Sequence, residues 1–146
     1  MRPKILLSVV LALCMTGCTA TRSHDLLNRT AIDAPASSIA ATHEIFVATT
    51  RQRAEKDPRQ VFDGDRSLTT SFARVDMTVP ATHQIGRIER AKGMAPSDPA
   101  RDFAASRVTY YANAAQFDRA VGADVAKRGD RILVFVHGFN NGFDDG

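Results

Sequence analysis

The strongest fold signal of the chain is the stretch RILVFV at residues 131–136, which runs directly into HGFNNG at residues 137–142. Its apolar residues follow one another without the alternation that a half-exposed strand shows. A continuous apolar run is typical of a strand covered on both faces, as in a parallel sheet with helices on either side. The sequence therefore predicts an α/β fold in which residues 131–136 form a buried strand.

A helix is predicted immediately before this strand. Asn113-Ala-Ala-Gln116 has the form of a capping box, with Asn113 as N-cap and Gln116 three residues later. Three apolar residues spaced four apart then form one stripe, namely Phe117, Val121 and Val125. The last turn carries two basic side chains, which favour the negative end of the helix dipole, and Gly129 ends the helix. A helix followed by an all-apolar strand belongs to an α/β layout.

Strand patterns also occur upstream of that helix. They span residues 43–51, 68–80 and 107–111, and the second alternates with a period of two, as a half-buried strand does. A loop is predicted at residues 55–67, and a further short strand is expected at residues 85–88. Arg51 and Arg53 follow the first predicted strand, and we interpret them as a solvated pair.

The N-terminus has the layout of a secretory signal peptide. Arg2 and Lys4 precede the apolar run ILLSVVLALCM at residues 5–15, which is shorter than the ~20 residues that a helix needs to span a bilayer. The run leads into Met15-Thr16-Gly17-Cys18, which resembles the bacterial lipobox, where the thiol of the final cysteine accepts a diacylglyceryl group. Residues 1–17 are therefore predicted to be a lipoprotein signal peptide.

This leader predicts where the protein resides. Lipid attachment at Cys18 would place the chain in the cell envelope, at the outer membrane or the periplasmic face of the membrane, with the membrane itself as a partner. Thr19, the residue after the cysteine, favours the outer membrane. Ordinary cleavage after Ala20 is the alternative. Residues 18–42 are rich in Ala, Ser and Thr, and we predict that they form a tether to the domain.

Removal of the leader changes what the composition implies. The full chain of 146 residues has a formal charge of +3, but two of its basic side chains lie in the leader, so the charge falls to +1. A strongly basic surface is the usual footprint of nucleic-acid binding, and we expect no nucleic-acid partner. Cys14 is lost with the leader and Cys18 is acylated, which leaves no free thiol. The histidines show no metal-ligand spacing, and no metal or other cofactor is expected.

Several stretches together carry a family resemblance. FVATTR at 46–51, HQIGRI at 83–88 and LVFVHGFNNGFDD at 133–145 resemble an uncharacterised family of bacterial α/β-hydrolases that are often lipoproteins. The resemblance covers about residues 43–146 and implies an incomplete α/β-hydrolase fold, consisting of its N-terminal strands, the first buried strand and the oxyanion loop. These residues would then form the truncated N-terminal part of the domain.

The resemblance also implies a site. In this fold the loop after the third strand supplies an N–H group of the oxyanion hole. The matching residues here are His137, Gly138, Phe139 and Asn140. The N–H of Phe139 is the first candidate donor, and Asn140 is the second. His137 is expected to brace the loop, since the catalytic base of this fold follows the nucleophile in chain order.

No nucleophile accompanies that loop. None of the serines outside the leader lies in a G-x-S-x-G pattern, so no catalytic residue is assigned. We expect a lipid-anchored, serine esterase- or lipase-like fragment that would act on a small ester or amide if completed and is inactive as it stands. The alternatives are a non-catalytic envelope lipoprotein with a binding or structural role, and a non-functional remnant.

Overall fold

The computed structural model describes residues 33–55, 60–91, 95–129 and 131–136. These residues form a three-stranded antiparallel sheet and one α-helix. A 3-10 turn at Ala36–Ser38 is followed by β1 (Ile39–Arg53), β2 (Phe62–Pro80), β3 (Ala104–Tyr111) and the helix α1 (Ala114–Arg128). The strand order is β1-β2-β3, so β2 lies in the centre and pairs with both neighbours.

β1 and β2 form a long antiparallel hairpin. Pairing is regular from Thr42 opposite Thr78 to Thr49 opposite Ser71, and the register then shifts on either side of Arg51. Such shifts are typical of β-bulges, which redirect a strand. The strands predicted at 43–51 and 68–80 are confirmed within β1 and β2. The predicted loop is wrong over its second half, because β2 already begins at Phe62.

The face of the sheet that points away from α1 carries the hydrophobic core. Five buried residues form its centre: Val61, Phe62, Ala73, Val75 and Ala105. Ala73 and Val75 belong to one of the two alternating sets of β2, and period-two geometry places such a set on one face. The partly buried Val47, Val108 and Tyr110 pack against this centre from the neighbouring strands.

α1 begins and ends as its sequence predicts. The Oδ1 atom of Asn113 accepts a hydrogen bond from the N–H of Gln116 at 3.0 Å. The Gln116 side chain accepts in turn from the N–H of Ala112 at 3.1 Å, one residue before the N-cap. Gly129 ends the helix in the left-handed conformation, with φ 91°, and its N–H donates to the carbonyl of Val125. The capping-box prediction is confirmed.

A single aromatic side chain docks α1 on the sheet. The ring of Phe117 lies 5.0 Å from that of Phe72, 5.9 Å from that of Phe46 and 5.8 Å from that of Tyr111, measured between centroids. These partners come from the three different strands. No residue of α1 is fully buried, and the Phe117 ring brings the helix into contact with all three strands.

The predicted α/β fold, including its incomplete α/β-hydrolase form, is wrong for the described residues. Both strand pairs are antiparallel, and residues 131–136 form no strand. Ile132 to Val136 are 60–95% exposed instead of buried. A continuous apolar run indicates hydrophobicity but does not supply the neighbours that would cover it. The short strand expected at residues 85–88 is also wrong, since these residues lie in an exposed loop.

Candidate functional site

A group of six interacting charged side chains lies on the helix side of the sheet. We call it the charged cluster, and its members are Glu44, Arg74, Asp76, Arg107, Asp124 and Arg128. Strand register explains the sheet part of it, because Glu44 lies opposite Asp76 and Asp76 lies opposite Arg107. Arg74 is two residues from Asp76 on the same strand and therefore shares its face.

Asp76 is the centre of the charged cluster. It is only 8% exposed, and a carboxylate taken out of water needs compensation by opposite charge. The Nε atom of Arg74 lies 2.9 Å from Asp76 Oδ1, and the Nε atom of Arg107 lies 3.8 Å from Oδ2. Arg74 also reaches Glu44 at 3.8 Å. Two guanidinium groups thus compensate one buried carboxylate.

Arg128 connects the charged cluster to the end of α1. Its Nε atom donates to Asp124 Oδ1 at 2.7 Å, one helical turn away, and its Nη2 atom lies 3.3 Å from Glu44 Oε2. The hydrogen bond to Asp124 raises the pKa of Arg128 above its usual value, and the charge of Glu44 acts in the same direction. A basic last turn is visible in the sequence, but the partner on β1 is not.

The charged cluster can hold the helix on the sheet but offers no reacting group. Its three carboxylates and three guanidinium groups pair with one another. The serine nearest to it along the sheet, Ser106, donates its hydroxyl to the backbone carbonyl of Asp76 at 3.0 Å. We therefore assign the cluster a positioning role in the structure.

A second pair of titratable groups lies in the loop between β2 and β3. His83 Nδ1 lies 2.8 Å from Glu89 Oε2, and Glu89 Oε1 accepts the N–H of Gln84 at 3.1 Å. The ring of Phe103 meets the imidazole edge-on at 5.2 Å. The bond with His83, with the Gln84 N–H adding to it, lowers the pKa of Glu89. An imidazole oriented by a carboxylate can act as a general base, but no serine or threonine hydroxyl in the described residues bonds to His83.

A shallow polar cleft of about 300 Å³ lies beside the irregular end of the hairpin. Its lining consists of Gln52, Arg53, Glu55, Asp63, Asp65, Ser67 and Ser71. Three of these side chains are carboxylates, yet in the part of the chain that the structure describes no three acidic, histidine or cysteine residues are disposed to hold a metal ion.

The interpretation of Arg51 and Arg53 as a solvated pair is wrong for Arg51, whereas Arg53 is exposed. Arg51 is buried, and its Nη1 atom donates to the carbonyl of Asp63 at 3.3 Å. Arg53 donates to the carbonyl of Tyr111 at 3.1 Å, and its guanidinium lies 4.4 Å above the ring of Tyr110. Arg51 braces the β1–β2 hairpin, and Arg53 connects the end of β1 to the end of β3. No local pattern in the sequence reveals either contact.

The predicted functional residues lie outside the described residues. This applies to the oxyanion loop at His137, Gly138, Phe139 and Asn140, to the lipid-attachment residue Cys18 and to the leader at 1–17. The described residues bring no serine, histidine and carboxylate together by hydrogen bonds. None of the helices in the described ranges has the length and apolar character that crossing a membrane requires.

No protein-family model, no curated protein and no solved structure matches the chain. The family resemblance therefore stays a prediction that rests on the residues quoted for it.

Proposed function

We propose that the chain is a lipid-anchored protein of the bacterial cell envelope whose sheet domain has a non-catalytic binding or structural role. The observation that carries the proposal is Met15-Thr16-Gly17-Cys18 after a basic and then apolar leader. β1 begins at Ile39, and the residues between it and Cys18 could extend over at most about 70 Å. The domain would thus stay close to the membrane that holds the anchor.

The contacts of the described residues favour a non-catalytic role. The charged cluster is closed by its own ion pairs, and no serine or threonine hydroxyl among the described residues bonds to the His83–Glu89 pair. Both arrangements hold elements together: the first holds α1 on β1, and the second closes the loop after β2. A binding or structural role requires a surface whose elements are held in place by such contacts. It does not require a nucleophile.

Metabolic labelling with radioactive palmitate tests the anchor. We expect the full chain, expressed in a bacterial host, to carry the label in the envelope fraction. Cys18→Ser should lose the label, because the hydroxyl does not replace the thiol that accepts the lipid. Cys14→Ser is the matched control and should remain labelled, since Cys14 lies in the leader. A labelled Cys18→Ser chain, or an unlabelled wild type, would contradict the proposal.

Hydrolysis of a small ester or amide is the second candidate function. It is supported by HGFN at residues 137–140 after an apolar run, a pattern in which backbone N–H groups can stabilise an oxyanion. The same envelope preparation, assayed with p-nitrophenyl esters, should show no turnover above that of a host without the gene. Turnover that Gly138→Val abolishes would replace the first proposal with this one.

A further inference from the structure

The segment after α1 exposes an unusual amount of apolar surface. We call Ile132–Val136 the apolar segment; its side chains are 60–95% exposed, and it pairs with no helix or strand among the described residues. Its residues are mostly β-branched or aromatic, which favours an extended strand. Exposed apolar surface of this kind marks an interaction site.

The outer edge of β1 is the complementary feature. β1 pairs with β2 on one side only, and on its other side the described residues supply no strand. It is 15 residues long and contains neither proline nor lysine, the residues that commonly protect an edge strand from pairing. Ile45, in the middle of β1, is 45% exposed. The other edge strand, β3, is only eight residues long.

We propose that the apolar segment of one copy adds as a fourth strand to the outer edge of β1 in a second copy of this chain. Strand addition would satisfy the free N–H and C=O groups of both edges and would cover Ile45 together with the apolar segment. This contact involves only the described sheet and the apolar segment, and it is independent of the lipid anchor.

Other partners for the apolar segment would leave more of these backbone N–H and C=O groups without hydrogen bonds. A bilayer would cover the apolar side chains but would leave an extended backbone without hydrogen bonds. Two apolar segments paired with each other would form an isolated two-stranded ribbon, which is marginally stable in water. Addition to β1 instead extends a sheet that already has three strands.

The geometry of this contact predicts the form of the assembly. Each copy offers one donor, the apolar segment, and one acceptor, the outer edge of β1. Such a contact can close reciprocally, when two copies exchange their segments as a swapped dimer, or it can continue from copy to copy as a ring or an open chain. The parent chain should therefore form a swapped dimer or a larger ring or chain.

Two blocked variants test the proposal by sedimentation velocity. The processed chain from residue 18 carries Cys18→Ser in every sample, so that lipid plays no part. Val134→Lys blocks the donor, and Ile45→Lys blocks the acceptor edge. Leu68→Lys is the matched control, since Leu68 is a fully exposed apolar residue outside both surfaces. We expect the parent chain and the control to assemble, and each blocked variant alone to sediment as a monomer.

Mixing the two blocked variants is the decisive measurement. The Ile45→Lys copy still has a donor and the Val134→Lys copy still has an edge, so an equimolar mixture should form a dimer with twice the monomer mass and nothing larger. A monomeric parent chain or a monomeric mixture would overturn the proposal. Binding of a monomeric parent chain to phosphatidylglycerol vesicles, lost in Val134→Lys, would assign the apolar segment to a membrane instead.

Discussion

Glu89 shows how one side chain makes the stability of a loop depend on pH. It accepts hydrogen bonds from His83 and from the backbone of Gln84, and its pKa is lowered. A lowered pKa means that the ionised form stabilises the folded state. That contribution is complete above the pKa of an unfolded glutamate, about 4.3, and is lost as the pH falls through the lower folded value.

Glu89→Gln should therefore reduce stability most near neutral pH. The difference in free energy of unfolding between the parent chain and the variant should shrink as the pH falls into the acid range. Urea unfolding followed by circular dichroism between pH 7 and pH 3 measures it. Glu55→Gln, a change at an exposed glutamate, is the control and should show little difference at any pH. A difference that grows towards acid pH would contradict this account.

Single residues also show which structural roles can be predicted from a sequence pattern. Asn113, Gln116 and Gly129 act on backbone groups a few positions away, so their roles follow from the local sequence. Arg51 is different, because its burial depends on the irregular pairing of two strands. Partners that are far apart in the chain, such as Glu44 and Arg128, are likewise set by the fold and not by spacing.

At the scale of elements, α1 contacts the sheet through the ring of Phe117 and through the ion pair of Arg128 with Glu44. Phe117→Ala removes three ring contacts and should lower the free energy of unfolding by about 2 kcal/mol, less than the 3–5 kcal/mol typical of a fully buried aromatic. Urea unfolding of the processed chain measures the loss. Leu68→Ala is the control, since Leu68 has no packing to lose. Equal stability of the two variants would show that Phe117 does not anchor the helix.

Elements were easier to predict than their arrangement. Period-two alternation in β2 and the capped, striped sequence of α1 are local properties, and both elements occur where their patterns lie. The predicted strand at 131–136 had an equally clear pattern but lacks neighbours among the described residues. Apolar side chains favour the burial of a segment, whereas strand pairing also requires an unpaired strand edge close to it.

At the scale of the whole molecule, the antiparallel sheet changes what the candidate site can be. The predicted oxyanion loop depended on a parallel sheet whose strand ends converge, and the described strands do not provide one. The charged cluster, which the structure does provide, is assembled from all three strands and from α1. No single stretch of sequence contains it, and sequence reasoning therefore missed it.

The central position of β2 has a consequence for how the backbone opens. Residues 72–78 pair with β1 on one side and with β3 on the other, whereas residues 62–71 have β1 alone. The amide N–H groups of residues 72–78 are therefore hydrogen-bonded whichever neighbouring strand they face. They should exchange with deuterium only when the sheet comes apart as a whole. Mass spectrometry of deuterated peptides should find the slowest exchange there. The exchange rate of that short segment then reports the global unfolding of the sheet domain.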